Sequence, residues 1–98
     1  MKIEILRDKV FDYLLEMPKG KVTTYKKIGD LFGVHQRKIG KVIKGNVDIE
    51  KYPCYKVLES ELKIGFYNGS GGIHGKVQKI KDDGIEVIKG KIDPKYFI

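Results

Sequence analysis

Apolar residues recur along the first segment at Ile3, Leu6, Val10, Leu14 and Met17, in steps of three and four. Side chains spaced this way share one face of an α-helix, so the pattern predicts a helix over roughly Ile3 to Met17. Pro18-Lys19-Gly20 ends it, because proline lacks the N–H a helix needs and glycine turns freely. Val22-Thr23-Thr24-Tyr25 then leads into a short second helix. Thr23 or Thr24 can cap its exposed N–H groups, and Ile28, Leu31 and Phe32 supply its buried face. Gly33 is placed to stop it in the left-handed conformation. A third helix, about His35 to Lys44, turns Ile39, Val42 and Ile43 inward. Its other face carries Gln36, Arg37, Lys38, Lys41 and Lys44, and Gly45-Asn46 closes it.

Beyond Asn46 the helical period is lost. Tyr52-Pro53-Cys54-Tyr55-Lys56-Val57-Leu58 is short, aromatic and β-branched and reads as extended, with Pro53 biasing Tyr52 away from helix. Ile64 to Gly72 is a glycine-rich loop, whose backbone can wrap a ligand. A further helix is predicted from about Ile73 to Asp82, with Ile73, Val77 and Ile80 inward and Gly84 at its close. Ile85-Glu86-Val87-Ile88 alternates like a strand, and Pro94-Lys95-Tyr96-Phe97 is expected to pack down on the domain. The fold class is mostly α with short β elements. It is built round a helix-turn-helix in a winged-helix-like arrangement, since two short helices joined by a tight glycine turn describe that motif.

The 98 residues suffice for one compact domain, 1–98. No apolar run approaches a membrane span, and the first residues lack the basic, apolar and small-residue regions of a signal peptide. The expectation is a cytoplasmic, nucleoid-associated monomer with no membrane partner. The net charge of +7, from 20 Lys and Arg against 13 Asp and Glu, fits a polyanionic partner. It also fits the Lys-rich surface of a heat-adapted protein. The clustering of cations on the third helix favours DNA over an ordinary helical hairpin with a solvated basic face.

Cys54 is the single cysteine, so no intrachain disulfide is possible. His35 and His74 are not at zinc-ligand spacing from it and read as surface or capping residues; no metal and no cofactor are expected. A lone cysteine in an apolar setting is often an inert core residue. Cys54, however, follows a proline just downstream of the basic helix and just upstream of the glycine-rich loop. Thiolates attack soft alkyl carbon, and Lys56 together with the basic helix face could lower the thiol pKa.

These residues resemble the O6-alkylguanine-DNA alkyltransferases, the methylated-DNA–protein-cysteine methyltransferases. The blocks that carry the resemblance are Pro18-Lys19-Gly20-Lys21-Val22-Thr23-Thr24-Tyr25, Arg37-Lys38-Ile39-Gly40, Gly45-Asn46, Pro53-Cys54 and Gly65-Phe66-Tyr67-Asn68-Gly69. The resemblance implies that duplex DNA containing O6-alkylguanine is the partner and that Cys54 takes the alkyl group irreversibly. It implies that Arg37 fills the gap left by the flipped nucleotide, and that Tyr25 helps rotate the base out and protonates the departing guanine. Asn46 ties the helix-turn-helix to the active-site turn. Thr24, Gln36, Lys38 and Lys41 join Tyr25 and Arg37 on the DNA, and Pro53, Tyr67, Asn68 and Gly69 form the base pocket. Extraction is physically required, because an atom inside the duplex is out of reach, and it costs a few kcal/mol. The flat face of Tyr67 suits a flipped base; a loop aromatic packed on the core is the plainer alternative. The family's separate N-terminal domain is expected to be absent.

One departure matters. The family motif is Pro-Cys-His-Arg, and here Tyr55 stands where the histidine would take the thiol proton. Asp83 stands at the position of the glutamate that holds that histidine. Tyr55 is a poor base, its ordinary pKa being about 10. Cys54 could act through electrostatics alone, or Tyr55 and Asp83 could form a weaker relay. Alternatively the chain could sense lesions without repairing them, like the alkyltransferase-like proteins, although those usually lack the cysteine. A plain helix-turn-helix regulator is the third class.

Overall fold

A computed structural model describes residues 2–46, 51–60, 63–65, 67 and 71–98. The described helices are α1 (Ile3–Glu16), α2 (Tyr25–Phe32), α3 (Gln36–Lys44) and α4 (Gly72–Asp82). Two-residue strands, β1 (Thr23–Thr24), β2 (Val57–Leu58), β3 (Val87–Ile88) and β4 (Lys91–Ile92), stitch them together. Single 3-10 turns occupy Cys54–Lys56 and Pro94–Tyr96.

The apolar stripe of α1 buries Leu6, Val10 and Leu14 completely, and Phe11 joins them beside the expected face. Each such side chain contributes about 1.5–3 kcal/mol by leaving water. They pack with Tyr25 and Ile28 of α2, with Ile39, Val42 and Ile43 of α3, and with Cys54 and Val57. A second cluster gathers Val22, Leu58, Ile64, Ile80, Ile85 and Ile92, with Tyr55, Val77, Tyr96 and Phe97 against it. β1 and β2 run parallel between the two, pairing Thr23 with Val57 and Thr24 with Leu58. Because side chains alternate along a strand, Val57 enters the first cluster and Leu58 the second.

The helix-turn-helix forms as its sequence dictates. Thr24, not Thr23, caps α2, its hydroxyl accepting from the Lys27 N–H at 3.1 Å. Gly33 closes α2 with φ 71°, in the left-handed region. Gly29 has a different reason to be glycine: a Cβ there would sit 2.6 Å from the Val34 carbonyl oxygen, so the turn can close tightly only without one. His35 caps α3, Nδ1 accepting from the Arg37 N–H at 3.1 Å. α4 ends at Asp82 with Asp83 as its C-cap, and the antiparallel β3–β4 hairpin beyond it forms a small wing, with Val87 opposite Ile92 and Ile88 opposite Lys91. Lys89 and Gly90, both at positive φ, make its two-residue turn.

Several expectations need correction. Ile3, Leu31 and Ile73, read as inward, are 46%, 56% and 50% exposed. Ile3 and Ile73 lie in the first turns of their helices, and Leu31 lies at the margin of a stripe that Ile28 centres. Tyr52 to Leu58 is not extended throughout: Cys54–Lys56 coils into a 3-10 turn, with the Val57 N–H donating to the Cys54 carbonyl, and only Val57–Leu58 is strand. The tail strand is shorter than its alternation suggests, covering Val87–Ile88 of the stretch from Ile85.

Candidate functional site

The site is assembled where the helix-turn-helix meets the turn that carries Cys54. The Asn46 side chain donates from Nδ2 to the Tyr52 carbonyl at 3.1 Å, joining the end of α3 to that turn. The Cys54 N–H donates to the same carbonyl at 2.7 Å. Cys54 is thereby held 3% exposed at the edge of the first cluster, with Tyr25 buried and Tyr67 half-buried in the same cluster. Pro53, half-buried, caps the turn from its N-terminal side.

Burial pushes the Cys54 thiol above its ordinary value, opposed by a hydrogen bond from Asn46 and by the charge of Lys76. This corrects two expectations. The thiol is raised and not lowered, and the nearby cation is Lys76 of α4. Lys56 is buried elsewhere, its Nζ 3.1 Å from the Pro18 carbonyl oxygen and 3.5 Å from an Asp83 carboxylate oxygen. Tyr25 is shifted in the same direction as Cys54: burial, then the charges of Cys54 and Glu59, push its phenol far up, so it holds its proton and remains a donor.

Tyr55 and Asp83 do meet. The Tyr55 hydroxyl donates to Asp83 Oδ1 at 3.4 Å, and Asp83 Oδ2 accepts from the Gly20 N–H at 2.9 Å. Burial first, then the charge and hydrogen bond of Asp83, push Tyr55 up to about 12. Tyr55 packs on the second cluster whereas Cys54 belongs to the first, so the adjacent side chains serve different cores.

On the outer surface, Arg37 and Gln36 at the start of α3 line a depression of about 290 Å³ with Tyr25, Gly40 and Glu59. Lys38 and Lys41 extend the basic surface along α3, beside Ile3, His35 and Arg37. Thr24 lies in an adjoining groove with Lys26, Lys27, Gln36 and Glu59. Nothing lies within 4 Å of a Cβ placed at Gly40, so α3 keeps an open notch there. Asn68 and Gly69 fall outside the described residues.

The sequence reading missed Lys76. It is completely buried, with Nζ 2.7 Å from the Val57 carbonyl oxygen and 2.8 Å from that of Ile64. The signal was present in its position: Lys76 lies one turn before Ile80, which is completely buried, on the core-facing side of α4. Glu59 was also missed; it pairs with Lys63 at 3.2 Å and lies against Gly65, where a Cβ would be 2.8 Å from the Glu59 side chain.

A helix-turn-helix with a basic outer helix, here backed by the buried thiol of Cys54, has the architecture of a DNA-binding domain. The chain belongs to the O6-methylguanine-DNA methyltransferase family, matching "6-O-methylguanine DNA methyltransferase, DNA binding domain" over residues 6–85. It is 37% identical over 90 residues to a bifunctional methyltransferase/endonuclease of Picrophilus torridus, covering 90% of this chain and 30% of that protein. Its fold is similar to S. pombe Atl1 in complex with damaged DNA containing O6-carboxymethylguanine, at TM-score 0.86 and 25% identity, covering 100% of this chain and 98% of that one. It is also similar to the O6-methylguanine-DNA methyltransferase of the hyperthermophilic archaeon Pyrococcus kodakaraensis strain KOD1. There the TM-score is 0.71 and the identity 28%, over 81% of this chain and 46% of that one. The chain thus spans less than a third of the Picrophilus protein's length.

Proposed function

We propose that the protein binds duplex DNA containing O6-alkylguanine, draws the modified nucleotide out of the stack and transfers its alkyl group to Cys54. The observation that carries this reading is the thiol itself: in a member of this family, Cys54 lies buried in one cluster with Tyr25, is hydrogen-bonded by Asn46, and has Tyr67 packed against that cluster. Lys38, Lys41, Gln36 and Thr24 would hold the phosphates, and Arg37 would enter the vacated stack. Pro53, Tyr67, Asn68 and Gly69 would enclose the extruded base. Tyr25, kept protonated by burial, would donate to the departing guanine. The sulfur–carbon bond forms as the carbon–O6 bond breaks, and the guanine takes up a proton, so each molecule acts once.

Intact-protein mass spectrometry after mixing with a duplex carrying one O6-methylguanine tests it. One methyl group on Cys54, absent from Cys54→Ala, is the expected result. An unchanged mass under saturating DNA would sink the transfer.

A second reading is lesion recognition without transfer. It is favoured by Tyr55, which stands in the histidine's place, donates to Asp83 and holds its proton to about 12. Its signature is tighter binding of alkylated than of unmodified duplex with no covalent change.

A further inference from the structure

The face that would meet DNA is basic, yet a carboxylate lines its recess. Glu59 borders the depression of about 290 Å³ with Tyr25, Gln36, Arg37 and Gly40, and also the adjoining groove with Thr24, Lys26 and Lys27. Among the described residues it is the only acidic side chain in either. A carboxylate there opposes a polyanion, so attraction to DNA does not account for it.

Its position is built. Side chains alternate along β2, with Val57 in the first cluster with Cys54 and Leu58 in the second, so the next residue, Glu59, returns to the side of Val57. Ser60 and Lys63 exchange backbone hydrogen bonds at 3.0 and 3.2 Å, and the turn they close brings Lys63 Nζ to 3.2 Å from Glu59 Oε2. The stem of Glu59 lies against Gly65, where a Cβ would stand 2.8 Å from its Cγ. The Lys63 side chain is 74% exposed and that of Glu59 40%, so solvent screens the cation more than the carboxylate. Tyr25 joins the recess to the thiol: it lines the recess and packs in one cluster with Cys54. The charges of Cys54 and Glu59 both act on its phenol.

We infer that Glu59 is a specificity-determining residue, whose fixed negative charge at the recess makes the site take neutral O6-alkyl groups and reject those that carry a carboxylate. A neutral alkyl group passes a carboxylate at little electrostatic cost. An anionic one meets like charge in a partly desolvated recess, where the repulsion is stronger than in water. The phosphates of the strand repel Glu59 as well, but they are common to every lesion and cancel when two adducts are compared in one duplex sequence.

The inference rests on lesion binding at this site and holds with or without alkyl transfer. Cys54→Ser protein, which lacks the acceptor sulfur, is titrated with one duplex sequence carrying either O6-methylguanine or O6-carboxymethylguanine. The carboxymethyl lesion is expected to bind more weakly, and Glu59→Gln, which keeps the shape of the side chain, is expected to narrow the affinity ratio about five-fold at low salt. Lys63→Met should widen the ratio, because it strips the carboxylate of its counter-charge. Opposite shifts from the two partners of one ion pair are the signature of charge, since a purely structural pair would move the ratio in one direction. A ratio unchanged in Glu59→Gln, or moved the same way by both variants, would overturn the inference while leaving the lesion reading in place. If neither lesion binds more tightly than the unmodified duplex, the lesion reading falls and this inference falls with it.

Discussion

The two halves of this small domain use lysine in opposite ways. Around α3 the cations lie at the surface, Lys41 and Lys44 exposed and Lys38 half-buried, where a polyanion can approach them. Around the Cys54 turn, Lys56 and Lys76 are 5% and 0% exposed and spend their hydrogen bonds on backbone carbonyls and Asp83. Surface charge governs encounter and salt dependence, whereas buried charge governs local geometry and the protonation of neighbours. Reading every lysine of a basic chain as DNA-directed would therefore misassign these two, which are buried around the Cys54 turn.

Four outcomes would break or sharpen this contrast. The largest effect is expected at Asp83. Asp83→Ala strips Lys56 of its buried partner and leaves the Gly20 N–H unpaired, at a cost of roughly 3–5 kcal/mol. Urea unfolding would measure it, and a loss comparable to that of Lys41→Ala would erase the distinction between the halves. Next comes pH. Because burial raises the Cys54 thiol, thiolate is the minor form near neutrality. Single-turnover methyl transfer should therefore quicken about ten-fold per pH unit on the alkaline side of neutrality until the raised thiol titrates. A flat rate over that range would show that the thiol is already ionised.

Smaller and opposite effects are expected at Gly40, where a methyl group meets no protein atom. Gly40→Ala should stabilise α3 by up to about 1 kcal/mol, yet weaken binding by filling the notch beside Arg37 and Tyr25. A thermal melt and a DNA titration on one sample would separate the two, and unchanged DNA affinity would mean that no DNA enters the notch. The smallest thermodynamic change belongs to Lys41→Ala. Its stability should stay within about 0.5 kcal/mol of wild type. Its salt slope for any duplex, modified or not, should fall by about 0.9 if the lysine meets one phosphate.

The helices were legible because each carries both a period and a stop: the α1 stripe, Thr24 before α2, Gly33 after it, and Gly45 after α3. Periodicity marks a face without saying whether a neighbour covers all of it, which is why Ile3, Leu31 and Ile73 were misjudged. The 3-10 turn at Cys54–Lys56 is too short to have a period. It is set by partners distant in sequence, the β1–β2 pairing and the reach of Lys56 to Met17 and Pro18. The basic helix was legible from its own pattern of inward apolar and outward cationic residues, whereas the roles expected of Cys54 and Asn46 came through the family resemblance and the spacing of its blocks. Lys76 was passed over because a lysine in a helix is ordinarily solvated, and only its position in the apolar stripe of α4 distinguishes it.

The tail of the chain has its own bearing on how the molecule comes into being. Val22, immediately before β1, donates its N–H to the Tyr96 carbonyl at 2.9 Å, and its carbonyl accepts from the Ile98 N–H at 3.1 Å. The threshold of the DNA-reading unit is thus finished by residues made some seventy-five positions later. On the ribosome, α1, α2 and α3 can gather through contacts close in sequence while Val22 still waits for its partners. The helix-turn-helix can take shape from its own local contacts, and its junction with the Cys54 half is closed only once Tyr96 and Ile98 are in place.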